Sequence, residues 1–283
     1  DDCYNKTKAE NAICGVYSSY GYKKVSTPAL EYADLFTSGS MMSEKRLFKL
    51  TDTDGSLLAM RADVTMQICR MYVTSMTGIQ RMYYALDSYE YLDDSNSARD
   101  REFAQTGVEL LGDTGAEGEL EVLAMAADAL SASGLKNFTV ELGHVGYFDG
   151  LAEDLGLSAE DAAKLKRLIN KKDMLGVELF FRDSGLSDDS RESILSLTSL
   201  FGGKEILDKA EKLCAGEKSA AAIERLRYLL CKLDSMGLGK YFSIDLGMVS
   251  ANNYYTGIVM KGLCEDIGVA ILDGGRYDQL CSR

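Results

Sequence analysis

The sequence predicts an α+β fold: an antiparallel sheet flanked by helices, with an all-helical insertion. Three observations carry this. Short runs rich in β-branched and aromatic residues are separated by Gly, Asp and Asn turn signals, as in antiparallel hairpins and meanders. Residues 117–132 repeat Ala, Leu and Met at helical spacing. From 158 to 234 the pattern stays helical, between strands on either side. The expected organisation is a core domain of residues 1–157 and 235–283 with a helical insertion subdomain of 158–234.

The bulk numbers bound the function. A chain of 283 residues with 46% hydrophobic content can fill a sizeable core. The formal net charge of −13 opposes the counterion release on which nucleic-acid binding depends, so no nucleic-acid partner is expected. The seven cysteines are odd in number and include no C-x-x-C pair, which reads as reduced thiols without a metal site. There is no secretory signal and no apolar run near the ~18–20 residues of a membrane helix, so a cytoplasmic chain with no membrane partner is expected.

Residues 4–19 form a helix with Ala12, Ile13, Val16 and Tyr17 on one face, and Gly21 stops it. Residues 22–31 read as a strand running into Thr27-Pro28. Apolar runs at 47–50 and 56–60 flank TDTDG, a hairpin signal. In the following RADVTMQICR, Asp63 and Thr65 suit a helix N-terminus. Strands are expected at 81–86 and 102–111, joined by a polar loop at 93–100. On the second of these strands Phe103, Gln105, Gly107 and Glu109 share a face. Gln105 and Glu109 suit an imidazole N–H and an ammonium, and Gly107 leaves room for a ligand; the competing view is an ordinary exposed sheet face. A strand at 137–141 runs into His144, the only histidine, which reads as a structural hydrogen-bonder. Ser158 followed by Asp161 starts a helix, and KLKRLINKK at 164–172 reads as a solvated helix face. The last third reads as an antiparallel meander. Residues 245–257 (DLGMVSANNYYTG) read there as strand, polar turn and second strand carrying Tyr254 and Tyr255. In DGGRYDQL at 273–280 a glycine turn delivers Arg276 and Tyr277. These two stretches read together as the floor of a small-molecule pocket.

Taken in order, REFAQTGVE, NNYYTG and GGRYD resemble class II histidyl-tRNA synthetases and their non-catalytic relatives, the regulatory subunits of ATP phosphoribosyltransferase. The resemblance covers roughly positions 4–150 and 235–280 and implies a class II aminoacyl-tRNA synthetase-like sheet. It implies that Asp63 and Thr65 hold an amino group, and that Asp63, Thr65, Gln105, Glu109, Tyr254, Tyr255, Arg276 and Tyr277 bind histidine as an effector. Synthetases read roughly arginine-glycine-leucine-aspartate-tyrosine-tyrosine where this chain has Ser250 at the arginine and Asn253 at the aspartate. Residues 82–98 hold no Arg or Lys but do hold Asp87, Glu90, Asp93 and Asp94. Adenylate formation needs fixed positive charge at the phosphate, so no catalytic residue and no cofactor is expected. The resemblance further implies a homodimer seam at 22–31 and a partner, the short-form ATP phosphoribosyltransferase catalytic subunit. A third motif and an anticodon-binding domain would follow Arg283; the expectation is either a short relative or a piece of a longer chain. The alternative is a histidyl-tRNA synthetase, as a fragment or a divergent paralogue. A synthetase-like paralogue that binds some other protein is also left open.

Overall fold

The computed structural model describes residues 2–38, 41–91, 100–171, 173–184, 194–214, 216–249 and 254–282. The chain forms two compact units, Asp1–Leu135 with Gln279–Arg283, and Lys136–Asp278.

The first unit opens with helix α1 (Asp2–Ser19), closed by Gly21 at φ 84°. That conformation costs glycine nothing and strains other residues. Two sheets follow. One contains β1 (Lys23–Lys24), β5 (Gln80–Tyr89) and β6 (Glu102–Leu111) in the order β1-β5-β6. The other contains β2 (Leu30–Tyr32), β3 (Lys49–Thr51) and β4 (Leu57–Met60) in the order β2-β4-β3. The strand expected at 22–31 is therefore two strands in two sheets. β1 runs parallel to β5 while β2 pairs antiparallel with β4. Pro28, between them, has no N–H to give a ladder. The hairpin expected around TDTDG is present, with Asp52 N–H donating to the Ser56 carbonyl at 2.9 Å and Gly55 at φ 89°.

Helices α2 (Ala33–Thr37), α3 (Val64–Ser75) and α4 (Ala116–Ala132) complete this unit. Tyr17, Tyr22, Tyr83, Met125 and Ala129 form a buried cluster joining α1, β5 and α4. At its rim the Arg81 guanidinium grips both Glu121 oxygens at 2.8 Å, and the Tyr22 hydroxyl donates to the same carboxylate at 2.8 Å. The Arg81 hydrogen bonds hold the Glu121 carboxyl below its ordinary value. A bidentate pair of this kind fixes direction as well as distance.

The second unit holds β7 (Phe138–His144), β8 (Phe201–Gly202), β9 (Phe242–Asp245), β10 (Ile258–Cys264) and β11 (Ile267–Gly275) in one sheet, ordered β11-β10-β7-β9-β8. Two expectations are corrected here. The final strands are not a simple meander, because β7 lies between β10 and β9 and runs parallel to β9. A parallel pair needs a long crossover. The helices between β7 and β9 supply it: α5 (Val145–Asp154), α6 (Ala159–Asn170), α7 (Met174–Ser184), α8 (Glu205–Glu211) and α9 (Glu217–Ser235). The segment 158–234 is also not entirely helical, since β8 lies inside it and pairs antiparallel with β9. α5 and α9 cross closely: a Cβ on Gly150 would meet the Ser219 backbone nitrogen at 2.5 Å. Ser158 caps α6 by accepting from Asp161 N–H at 3.1 Å, as its spacing predicts.

His144 ends β7 and caps α5. Its Nδ1 accepts from Gly146 N–H at 3.1 Å, a bond that requires the neutral imidazole. Burial first, then the Arg225 and Arg276 charges, push its pKa down to about 4. The folded chain therefore refuses a proton that the unfolded chain accepts below about 6.5. Stability should be fully present above that value and should decline by about 1–3 kcal/mol as pH falls toward 4. His144→Asn keeps a capping side chain without a titrating group. It should flatten this limb of the stability–pH curve measured by urea unfolding.

Candidate functional site

The candidate residues fall into two clusters, one in each unit. In the first unit Asp63 ends the turn before α3 in extended backbone (φ −150°, ψ 125°), and its carboxylate accepts from Met66 N–H at 3.1 Å. It is the N-cap that its position predicts. Two residues along, in the first turn of α3, the Thr65 hydroxyl donates to Glu109 Oε1 at 2.6 Å. Glu109 is 4% exposed on β6, opposite Met82 of β5. On the same face of β6, Gln105 accepts from the Ser88 hydroxyl at 2.9 Å and donates to the Tyr84 hydroxyl at 3.2 Å. Asp63, Thr65, Gln105 and Glu109 are thus gathered around Tyr84.

The electrostatics follow from burial. Burial raises the Asp63 carboxyl, the Met66 and Thr65 N–H groups partly offset this, and the Glu90 charge adds to the rise. Burial, then the Glu109 and Asp63 charges, raise the Tyr84 phenol well above its ordinary value, so it stays protonated. Two carboxyl groups, a threonine hydroxyl, a phenol and an amide make a site rich in acceptors. An ammonium brought beside Asp63 and Glu109 would offset the cost of keeping both acids charged in a low dielectric.

Tyr84 is the residue that sequence reasoning missed. Gly107 does not leave room for a ligand as expected: a Cβ there would lie 2.4 Å from the Tyr84 hydroxyl, so the ring fills that space. The two residues are register partners across β5 and β6. Alternation along one strand cannot name the residue opposite; only the register can.

The acidic stretch that begins at 82 is also less bare than it reads. Buried Glu90 is ion-paired with Arg46, which arrives from a 3₁₀ turn at Glu44–Arg46. Arg101 lies over the Tyr91 ring at 4.8 Å. Asp93 and Asp94 lie outside the described residues, as do Ser250 and Asn253.

In the second unit, three tyrosines meet edge to face. Tyr254 is 4.8 Å from Tyr255 and 6.3 Å from Tyr277, centroid to centroid. Two details differ from expectation. Tyr254 and Tyr255 precede β10 and are not in a strand. Gly274 and Gly275 form no turn but pair within β11 against Met260 and Val259. Their small size serves packing, since a Cβ on Gly275 would sit 2.8 Å from the Tyr255 ring. Arg276 Nε donates to Asp278 at 2.9 Å, and the Thr256 N–H donates to the Arg276 carbonyl at 2.7 Å, which tie the end of β11 to the stretch before β10. No described group of three or more His, Cys, Asp or Glu has the placement to hold a metal ion. No helix among the described residues is long and apolar enough to cross a membrane.

The histidyl-tRNA synthetase family model matches residues 1–283. An ATP phosphoribosyltransferase regulatory subunit of Acetivibrio thermocellus is 37% identical over 287 residues, covering 100% of this chain and 68% of its own. A solved structure from Bacillus halodurans, described as an ATP phosphoribosyltransferase regulatory subunit/histidyl-tRNA synthetase, is 32% identical with a TM-score of 0.91, covering 99% of this chain and 73% of that one. A chain of the ATP phosphoribosyl transferase complex from Thermotoga maritima, at 19% identity, shares the fold with a TM-score of 0.73 over 95% of this chain and 91% of its own.

The Thr65–Glu109 bond gives this cluster a direct test. Thr65→Val keeps the shape and removes the donor from a buried carboxylate, which should cost about 1–3 kcal/mol in urea unfolding. Thr65→Ser should restore most of it.

Proposed function

We propose, since this chain belongs to the histidyl-tRNA synthetase-like family of ATP phosphoribosyltransferase regulatory subunits, that it makes a catalytic partner sensitive to histidine through a retained amino-acid site. The chain is a regulatory subunit of ATP phosphoribosyltransferase and serves histidine biosynthesis. It is a non-catalytic relative of the synthetases. The observation that carries the proposal is the Thr65–Glu109 hydrogen bond beside Asp63, a set of acceptors suited to an ammonium. Gln105 is assigned to the imidazole N–H. Tyr254, Tyr255 and Tyr277 suit an imidazole ring, and Arg276 suits a carboxylate.

Two assembly contacts complete the proposal. One is a homodimer seam at the segment 22–31, whose last two residues enter β2 and so bring the exposed face of the β2-β4-β3 sheet beside it. Leu30, Tyr32 and Leu50 lie on one face of that sheet by register and are 47%, 54% and 44% exposed. Apolar side chains so exposed at adjacent sheet positions mark an interaction surface. The other contact is with the short-form catalytic subunit, in a cytoplasmic setting.

Histidine should bind the chain in calorimetry, and Glu109→Gln should weaken that binding by about 1–3 kcal/mol. Adding the chain to the short catalytic subunit should raise phosphoribosyl transfer and make it respond to histidine with a coupling of about 1–3 kcal/mol. Independent sedimentation of the two chains, with no histidine response, would overturn the reading. Histidine-dependent ATP–pyrophosphate exchange should stay at background, because the stretch 82–98 carries no Arg or Lys and Ser250 stands where synthetases place an arginine.

A further inference from the structure

Two of the seven thiols meet. Cys69 lies on α3 and Cys281 on a 3₁₀ turn at Leu280–Ser282, both in the first unit. They are 212 positions apart in the chain, yet their Sγ atoms lie 2.9 Å apart. Cys69 is 2% exposed and Cys281 is half-buried, so Cys281 is the more exposed residue of the pair. The remaining cysteines show no such contact, and the pair is not part of any cluster with the makings of a metal site.

We propose that Cys69 and Cys281 are a redox pair that closes to an intramolecular disulfide by exchange with a low-molecular-weight disulfide. The Cys281 thiol, on the more exposed residue, loses its proton and its sulfur attacks one sulfur of the small disulfide. That S–S bond breaks, one small thiolate leaves and takes up a proton, and Cys281 carries a mixed disulfide. Cys69 then gives up its proton and attacks the Cys281 sulfur, and the second small thiolate leaves and is protonated. Two protein thiols are oxidised to one disulfide, and one small disulfide is reduced to two thiols. The order follows from access and acidity. Contact with Cys281, burial and the Glu109 charge all push the Cys69 thiol up, so it is a poor first nucleophile but already stands in line as the resolving one. Closure asks the sulfurs to move from 2.9 Å to about 2.0 Å, a small shift for two cysteine side chains. Cys69 sits one helical turn beyond Thr65, so the bond would pin the turn at Leu280–Ser282 to the helix that carries Asp63 and Thr65.

The test treats the purified chain with oxidised glutathione, blocks remaining thiols with iodoacetamide under denaturing conditions, and maps peptides without reduction. The expected result is a cross-linked peptide pair containing Cys69 and Cys281, the loss of both of these thiols from alkylation without a glutathione adduct on either, and their return with dithiothreitol. In Cys69→Ser, Cys281 should stop at the glutathione adduct. In Cys281→Ser, Cys69 should stay reduced, which separates a paired mechanism from general oxidation. Full alkylation of both thiols after treatment, or a glutathione adduct on Cys281 with Cys69 still reduced in the unmodified chain, would overturn the proposal.

Discussion

The register of β5 against β6 decides where Tyr84, Gln105 and Glu109 point. Gln80 faces Leu111 at one end and Tyr89 faces Glu102 at the other, without a bulge. Alternation then sorts the residues into two faces. Tyr83, Val108 and Leu110 belong to the apolar cluster with α1 and α4, and Arg81 on that side is clamped by Glu121. Tyr84, Ser88, Gln105 and Glu109 are left for the opposite face. A slip of one residue would send Glu109 into the apolar cluster and bring Val108 out to meet Thr65. The apolar cluster and the Arg81–Glu121 clamp therefore aim the site as well as stabilising the sheet.

The sequence's acidity is distributed unevenly. Of the acids that are buried, Glu31 is ion-paired with Arg70 and Glu90 with Arg46, while Glu121, less buried, is ion-paired with Arg81. Each of these bases comes from a different element from its acid. Around Tyr84, Asp63 accepts from backbone N–H groups and Glu109 accepts from the Thr65 hydroxyl.

What was legible in the sequence is what is local. β6 runs over the ten residues expected, α4 begins one residue before the expected start, and Asp63, Ser158 and His144 all cap helices from positions where a strand or turn signal meets an apolar run. What was not legible depends on partners. Tyr84 under Gly107, Arg46 beside Glu90, and β7 between β9 and β10 all join residues far apart in the chain. The segment 22–31 misled because both of its ends are extended, while they belong to different sheets. The tyrosine pair misled because aromatic residues favour strands, whereas here they cluster with Tyr277 ahead of the strand.

The Tyr84–Gly107 contact constrains how this surface can change over generations. The ring occupies the space where a side chain on Gly107 would stand, 2.4 Å from its hydroxyl and 2.5 Å from Cζ. An alanine arriving first at position 107 meets a ring in place; a smaller residue arriving first at position 84 leaves a hole and strips the Gln105 amide N–H of its hydroxyl acceptor, leaving only the Ser88 contact of these two. Either single step is costly, and the pair together is not the sum of the two. The order of substitutions matters more than their identity. The two positions should therefore drift as one, a lineage holding tyrosine opposite glycine until both are exchanged in close succession.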